Sequence, residues 1–210
     1  MSLAELINKI EELKSSNVSS VIQKRIEEFE RIGRSSIKEI FKELCFCILT
    51  ANYNARGGVK IQEATGDGFL ILGYDQLAKK LKELGHRFPS TRAKYIVEAR
   101  KKIGEIDKIL NSELTEKEKR EWLVKNIKGL GYKEASHFLR NIGYKNLAII
   151  DFHIVDVLVR HGLIEKPKTL TKRKYLEIED VLKKIADRVG LSLAELDLYL
   201  WYMETGVVLK

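Results

Sequence analysis

Residues 127–138 read "IKGLGYKEASHF". Gly129 and Gly131 bracket a single leucine, and each can adopt positive φ while leaving its backbone N–H uncovered. The segment before them, "KREWLVKNI", has a helical composition, and a second helix begins near Tyr132. The stretch therefore predicts helix, short glycine hairpin, helix over about 117–143. Bare amides, the partial positive charge of a helix N-terminus and Lys128 together suit a phosphate, and they would grip a nucleic-acid backbone without reading its bases. A G-x-G taken alone would equally suit a tight turn between two packed helices.

Lys133 falls in the first turn of the second helix. An amine nucleophile must be neutral, and a helix N-terminus disfavours an ammonium ion, as would Lys128 if it lies close by. The plain alternative is a solvated lysine that touches phosphate. Downstream comes "NLAIIDFHIVDVLVRHG", where Asp151 ends an apolar run and opens a helix that closes at Gly162. As an N-cap, Asp151 would be held ionised; facing a cleft, the same carboxylate would stabilise positive charge developing on a substrate.

The rest of the chain sets limits. Its 210 residues are 44% hydrophobic, enough for a substantial core, and 38 Lys and Arg against 30 Asp and Glu leave a net charge of +8 that favours a polyanionic partner. No apolar run approaches the roughly 18–20 residues of a membrane span. The only cysteines, Cys45 and Cys47, sit in the apolar run "LCFCILT" and read as buried thiols in a reducing compartment. His86, His137, His153 and His161 are scattered without ligand spacing, so no zinc site is expected, and His153 reads as a packed helix residue or as one that orients the Asp151 region. Apolar residues recur every three or four positions, as in Leu3, Leu6, Ile7, Ile10 and Leu13, then Val18, Val21, Ile22, Ile26 and Phe29. Only two prolines occur, and no alternating β-branched run is bounded by turns. "SLAELDLYLWYMETG" opens on Ser192 and Glu195 at capping-box spacing, closes on Gly206, and is apolar nearly all round, so it should be central. "KPKTLTKRK", 166–174, reads as a loop.

With both segments in view, the chain resembles the helix-hairpin-helix DNA base-excision glycosylases. "GLGYKEA" stands as the hairpin, Lys133 as the nucleophile and Asp151 in "IIDFHI" as the family aspartate, 151 − 133 = 18 residues on. The endonuclease III branch carries four C-terminal cysteines around an iron–sulfur cluster, and this chain has no cysteine after Cys47. Its short length and its ending, "WYMETGVVLK", are similar to the compact archaeal-type 8-oxoguanine DNA glycosylase/AP lyases.

That resemblance implies an all-α, two-lobed fold with a central cleft, 1–210 forming one catalytic unit of two packed helical lobes. It implies a monomeric, cofactor-free, bifunctional enzyme of the cytoplasm and nucleoid, acting on double-stranded DNA that contains 8-oxoguanine. The damaged base would be flipped into a pocket, Lys133 would form a Schiff base at C1′, and β-elimination would cut the strand. Phe88 and Trp201 would sandwich the base, with Lys210 beside it; their plain readings are a helix-entry staple, core packing and a frayed terminus. Gly129, Gly131 and Lys128 would hold the DNA backbone. Asn52 leads Asn54 and Arg56 as the side chain that fills the hole left by the base, and a polar helix-end turn is the alternative for all three. The rival functions are a glycosylase for another oxidised base and a non-catalytic helix-hairpin-helix DNA-binding module.

Overall fold

A polar residue able to cap a helix precedes most of the apolar periodic segments, and the chain uses these signals. The computed structural model describes residues 2–210, and every regular element among them is a helix. In chain order these are α1 (Leu3–Lys14), α2 (Asn17–Gly33), α3 (Ile37–Thr50), α4 (Ala55–Thr65), α5 (Gly68–Ile71), α6 (Tyr74–Glu83) and α7 (Pro89–Arg100). Then follow α8 (Ile103–Leu110), α9 (Glu116–Asn126), α10 (Tyr132–Asn141), α11 (Phe152–Arg160), α12 (Lys172–Arg188) and α13 (Leu193–Thr205). Ser2, Ser16, Ser36, Asn54, Thr115, Asp151, Thr171 and Ser192 each accept a backbone N–H at the start of their helix, a cap worth about 1 kcal/mol.

Most sequence signals fall where they are expected. Ser192 and Glu195 form the capping box of α13, and Gly206 closes it in the left-handed region at φ 71°. One boundary differs: the expected loop at 166–174 ends at Thr171, whose hydroxyl caps α12 so that Lys172, Arg173 and Lys174 are already helical.

The core divides into groups that the chain order interleaves. α3 to α10 surround one apolar group that includes Phe41, Phe46, Phe69 and Phe138. α1, α11, α12 and α13 enclose a second, from Leu6 and Ile10 to Leu196 and Leu200. α2 lays Val18, Ile22, Ile26 and Phe29 against Ala194, Leu198 and Tyr199 of α13, so the N-terminal helices join the C-terminal ones. The expectation that α13 is central holds only for that second half. The stretch enclosed on every side is the later part of α3, where Leu44 to Leu49 have no exposed surface, because the "LCFCIL" run offers no polar face.

One buried ion pair ties the two halves together. Arg120 on α9 meets Glu179 on α12 through two parallel bonds, Nη1 to Oε2 at 2.6 Å and Nη2 to Oε1 at 2.9 Å. Arg120 Nη1 also donates to Ser136 on α10, and Glu179 accepts the Ala148 N–H at 2.9 Å. Tyr175 on α12 donates to the Ala148 carbonyl at 2.7 Å and accepts the Ile150 N–H. Breaking a buried pair strands a charge at a cost of about 3–5 kcal/mol, and a chain of this size loses about 2–4 °C in Tm per kcal/mol. Glu179→Ala should therefore melt roughly 6–20 °C below the natural chain, and Arg120→Met combined with Glu179→Leu should melt above that single variant. Calorimetry that finds Glu179→Ala within about 2 °C of the natural chain would refute this anchoring role.

Candidate active site

The hairpin that carries Lys133 is shaped by one glycine more than by the other. Gly129 sits at φ 90°, and a Cβ there would stand 2.6 Å from the Tyr95 ring, so both the conformation and the space demand glycine. Gly131 instead has φ −90° and serves as the N-cap of α10, so it does not use the positive φ open to a glycine. Its N–H is already donated to the Glu134 carboxylate at 3.1 Å, so of the two amides this one is engaged. Lys128 lies on the surface and pairs with Glu98 at 3.3 Å.

Lys133 follows at the second position of α10, its side chain 25% exposed and its Nζ 3.8 Å from Glu134 Oε1. Asp151 caps α11 as its sequence position predicts: Oδ1 accepts the Ile154 N–H at 3.0 Å, leaving Oδ2 uncommitted. Both residues line one cavity of about 430 Å³, which also takes in Thr50, Tyr53, Trp201 and Lys210. The volume is within the range that encloses small ligands. The Arg120–Glu179 network explains the meeting of the two residues, since it grips α10 at Ser136 and the approach to Asp151 at Ala148.

The remaining candidates divide. Trp201 forms part of the wall, its ring edge-on to His153 at 5.3 Å and its indole N–H without a partner. Lys210 also lines the cavity and is far from frayed. Its ammonium donates to Glu43 at 2.7 Å and to Gln62, and it lies 4.6 Å from the centre of the Phe46 ring. Phe88 does not line the cavity. Pro89 starts α7 directly after it and the Phe88 N–H is donated to His86 Nδ1, so the ring lies at the surface beside Arg87 and Arg92. The expected two-sided aromatic sandwich is therefore not assembled in this structure. Asn54 and Arg56 line the cavity, but the Asn54 side chain is occupied in capping α4 through the Gly57 N–H at 2.7 Å. Asn52 is exposed at φ 56°, the only non-glycine residue at positive φ among those described. Cys45 and Cys47 are free, buried thiols whose pKa burial pushes up.

Sequence reading missed Arg140 and Asp197, which face each other at 3.1 Å in the cavity wall. Arg140 is 4% exposed and stacks on Phe29 at 4.7 Å. Arg140 in "HFLRNIG" and Asp197 in "LDLYLW" each interrupt an otherwise apolar helix face, and two such opposite charges are the signal that could have found them.

Residues 22–191 match the family model described as 8-oxoguanine DNA glycosylase. The chain belongs to the 8-oxoguanine DNA glycosylase family. A relative from Korarchaeum cryptofilum, named 8-oxoguanine DNA glycosylase/AP lyase, is 56% identical over 211 residues and covers all of both chains. The family member of the same name from Methanocaldococcus jannaschii is 57% identical over 206 residues, covering 98% of this chain and 99% of that one. A crystal structure of the M. jannaschii 8-oxoguanine glycosylase/lyase with a 15mer DNA containing 8-oxoguanine superimposes with a TM-score of 0.95 at 56% identity, over 98% of this chain and all of that one. The 8-oxoguanine DNA glycosylase of Thermotoga maritima gives a TM-score of 0.93 at 44% identity, over 99% of this chain and all of that one.

Asp197 should register pH. Burial pushes its carboxyl from 3.8 up to about 6, the Asp151 charge adds to this, and Arg140 and Lys133 oppose it. A carboxyl whose pKa is raised on folding is costly to ionise there, so the cost is absent below about pH 4 and complete above about pH 6. Against the natural chain, Asp197→Asn should thus gain about 3 kcal/mol between pH 4 and pH 7, at 1.36 kcal/mol per unit of pKa. Denaturant melts at both pH values check this; a stability difference that does not change with pH would show that Asp197 ionises normally.

Proposed function

We propose that Lys133 and Asp151 perform the chemistry of a bifunctional 8-oxoguanine DNA glycosylase, with the cavity between them receiving the flipped base. The chain removes 8-oxoguanine from double-stranded DNA and cuts the strand at the abasic site that results. The observation that carries the residue assignment is that both side chains line one cavity of about 430 Å³.

The base cannot be reached inside a stacked duplex, so the nucleotide turns out of the helix. As the N-glycosidic bond breaks, its electron pair leaves with the base, which takes up a proton, and the sugar acquires oxocarbenium character. Asp151 Oδ2 stabilises that positive charge. The Lys133 amine, in its neutral form, bonds to C1′; ring opening gives the Schiff base, loss of a C2′ proton expels the 3′ phosphate, and water then frees the lysine. Asp151 is suited to receive the proton Lys133 sheds.

The other residues have supporting roles in this reading. Trp201 offers one face for stacking, worth roughly 1–3 kcal/mol per base. Phe88 is placed at the surface to meet the duplex beside the cavity, and the exposed Arg87 at its ring adds a cation for phosphate. Asn52 is the better wedge than Asn54, because its side chain is exposed and Asn54 is committed to α4. Arg56 and Lys128 meet phosphate, as does the Gly129 amide; Gly131 can contribute only if Glu134 lets go. α1, α2 and α11 to α13 form one lobe and α3 to α10 the other. No helix among the described residues is long and apolar enough to cross a membrane; a DNA substrate supports the reading that the enzyme works in the cytoplasm beside the nucleoid.

Two experiments test these roles. Borohydride reduction on an 8-oxoguanine duplex should trap the natural chain covalently and leave Lys133→Gln untrapped; equal trapping of both would remove Lys133 as the nucleophile. Deleting Val208–Lys210 should slow excision of 8-oxoguanine more than cleavage of a ready-made abasic site, because Lys210 lines the base cavity. Equal losses on the two substrates would assign that segment to stability alone.

A further inference from the structure

Asn52 stands in the left-handed region at φ 56°, a conformation that strains any residue with a Cβ. Both peptide groups that flank it are tied down. The Ala51 carbonyl accepts from Arg92 Nη2 at 2.5 Å, and the Tyr53 N–H is donated to the Thr50 carbonyl at 3.1 Å. With the planes on either side held, the Asn52 backbone keeps one conformation, and its exposed side chain leaves the surface in one direction. Arg92 is itself buried, and its guanidinium also lies over the rings of Phe88 and Tyr95, at 5.7 and 5.9 Å. One buried cation thus touches both the segment that carries Asn52 and the ring of Phe88.

A second tie runs beside the first. His86 is 4% exposed, and both of its ring nitrogens are engaged: Nε2 meets the Leu49 carbonyl in the last turn of α3 at 2.9 Å, and Nδ1 meets the Phe88 N–H at 3.0 Å. A carbonyl only accepts and an amide N–H only donates, so the ring that fits both is neutral with its proton on Nε2. Burial pushes its pKa down, against the pull of the Leu49 bond and with help from Arg92. The Tyr53 ring packs on the imidazole at 4.4 Å, and the Tyr53 hydroxyl donates to the Gly85 carbonyl at 3.3 Å. Surface loops move against each other where few bonds cross between them. Here the Asn52 segment and the Phe88 segment are joined through buried groups and move as one body.

Resting on the roles proposed above for Asn52 and Phe88, we infer that His86 is a positioning residue that locks residues 51–53 to residues 86–88, so that Asn52 and Phe88 meet the duplex at a fixed spacing and open it together. Neither segment has then to be ordered against the other on binding, which leaves more of the binding energy for unstacking the target nucleotide. The test compares single-turnover excision from two DNAs, together with thermal melts. In one, 8-oxoguanine is paired with cytosine; in the other, it lies in a short mismatched bubble that is already unstacked. His86→Phe keeps the packing on Tyr53 and removes both bonds, so it should excise roughly 10-fold or more slowly from the paired duplex and near the natural rate from the bubble. His86→Gln, whose amide N–H stands where Nε2 does, should recover part of the paired-duplex rate. Tyr53→Phe, which loses only the bond to Gly85, should show the same duplex-specific slowing in smaller measure, and it carries the comparison if His86→Phe melts below the assay temperature. Equal slowing on the two DNAs would reduce the clasp to a structural role and overturn the inference, as would excision from the paired duplex by His86→Phe at the natural rate. Asn52→Ala at the natural rate on the paired duplex would instead remove the wedge role on which the inference rests, and a natural chain that leaves 8-oxoguanine in both DNAs would remove the function itself.

Discussion

The candidate site depends on a guanidinium and a carboxylate that meet away from water. Arg120 and Glu179 are 1% and 2% exposed, and each makes a further bond to the pieces that carry the chemistry. Arg120 reaches Ser136, three residues beyond Lys133; Glu179 holds the Ala148 N–H, three residues before Asp151. Tyr175 repeats the grip on the Ala148 carbonyl and the Ile150 N–H. A buried pair of this kind need not add net stability over an apolar replacement, but its directional bonds admit only one arrangement of the segments. That suits a site whose nucleophile and carboxylate come from different elements.

Around the cavity, charges are kept in opposed sets. Lys133, Arg140 and Lys210 bring positive charge, and Asp151 and Asp197 bring negative charge, with Glu43 behind Lys210. Arg140 and Asp197 neutralise each other across the wall, and Glu43 and Gln62 engage the Lys210 ammonium. Lys133, by contrast, has only the Glu134 carboxylate at 3.8 Å, too long for a hydrogen bond. The lysine assigned to nucleophilic attack is thus less restrained than Arg140 or Lys210.

How much of this was legible beforehand depended on the range of the interactions. The helices, the hairpin, the caps at Asp151 and Ser192 and the C-cap at Gly206 are local, decided within a few residues, and they stand where spacing and residue type put them. Two glycines in one hairpin look alike in sequence, whereas Tyr95, 34 residues before Gly129, picks out the one that must be bare (129 − 95). Phe88 was placed in the pocket on resemblance; the His86 bond and Pro89 turn its ring to the surface. Arg140 and Asp197 went unnoticed because each, alone, is an ordinary charge on a helix, and 57 residues separate the two.

By itself, then, the sequence determined an all-helical chain, a glycine hairpin leading into Lys133, and Asp151 at a helix start, since capping, periodicity and turn chemistry act between near neighbours. Only the tertiary structure decided that Lys133 and Asp151 share a cavity, that Arg140 meets Asp197 in its wall, and that Lys210 is anchored by Glu43. Those outcomes rest on burial and on bonds between residues far apart in the chain, and no local pattern encodes which distant charge will arrive.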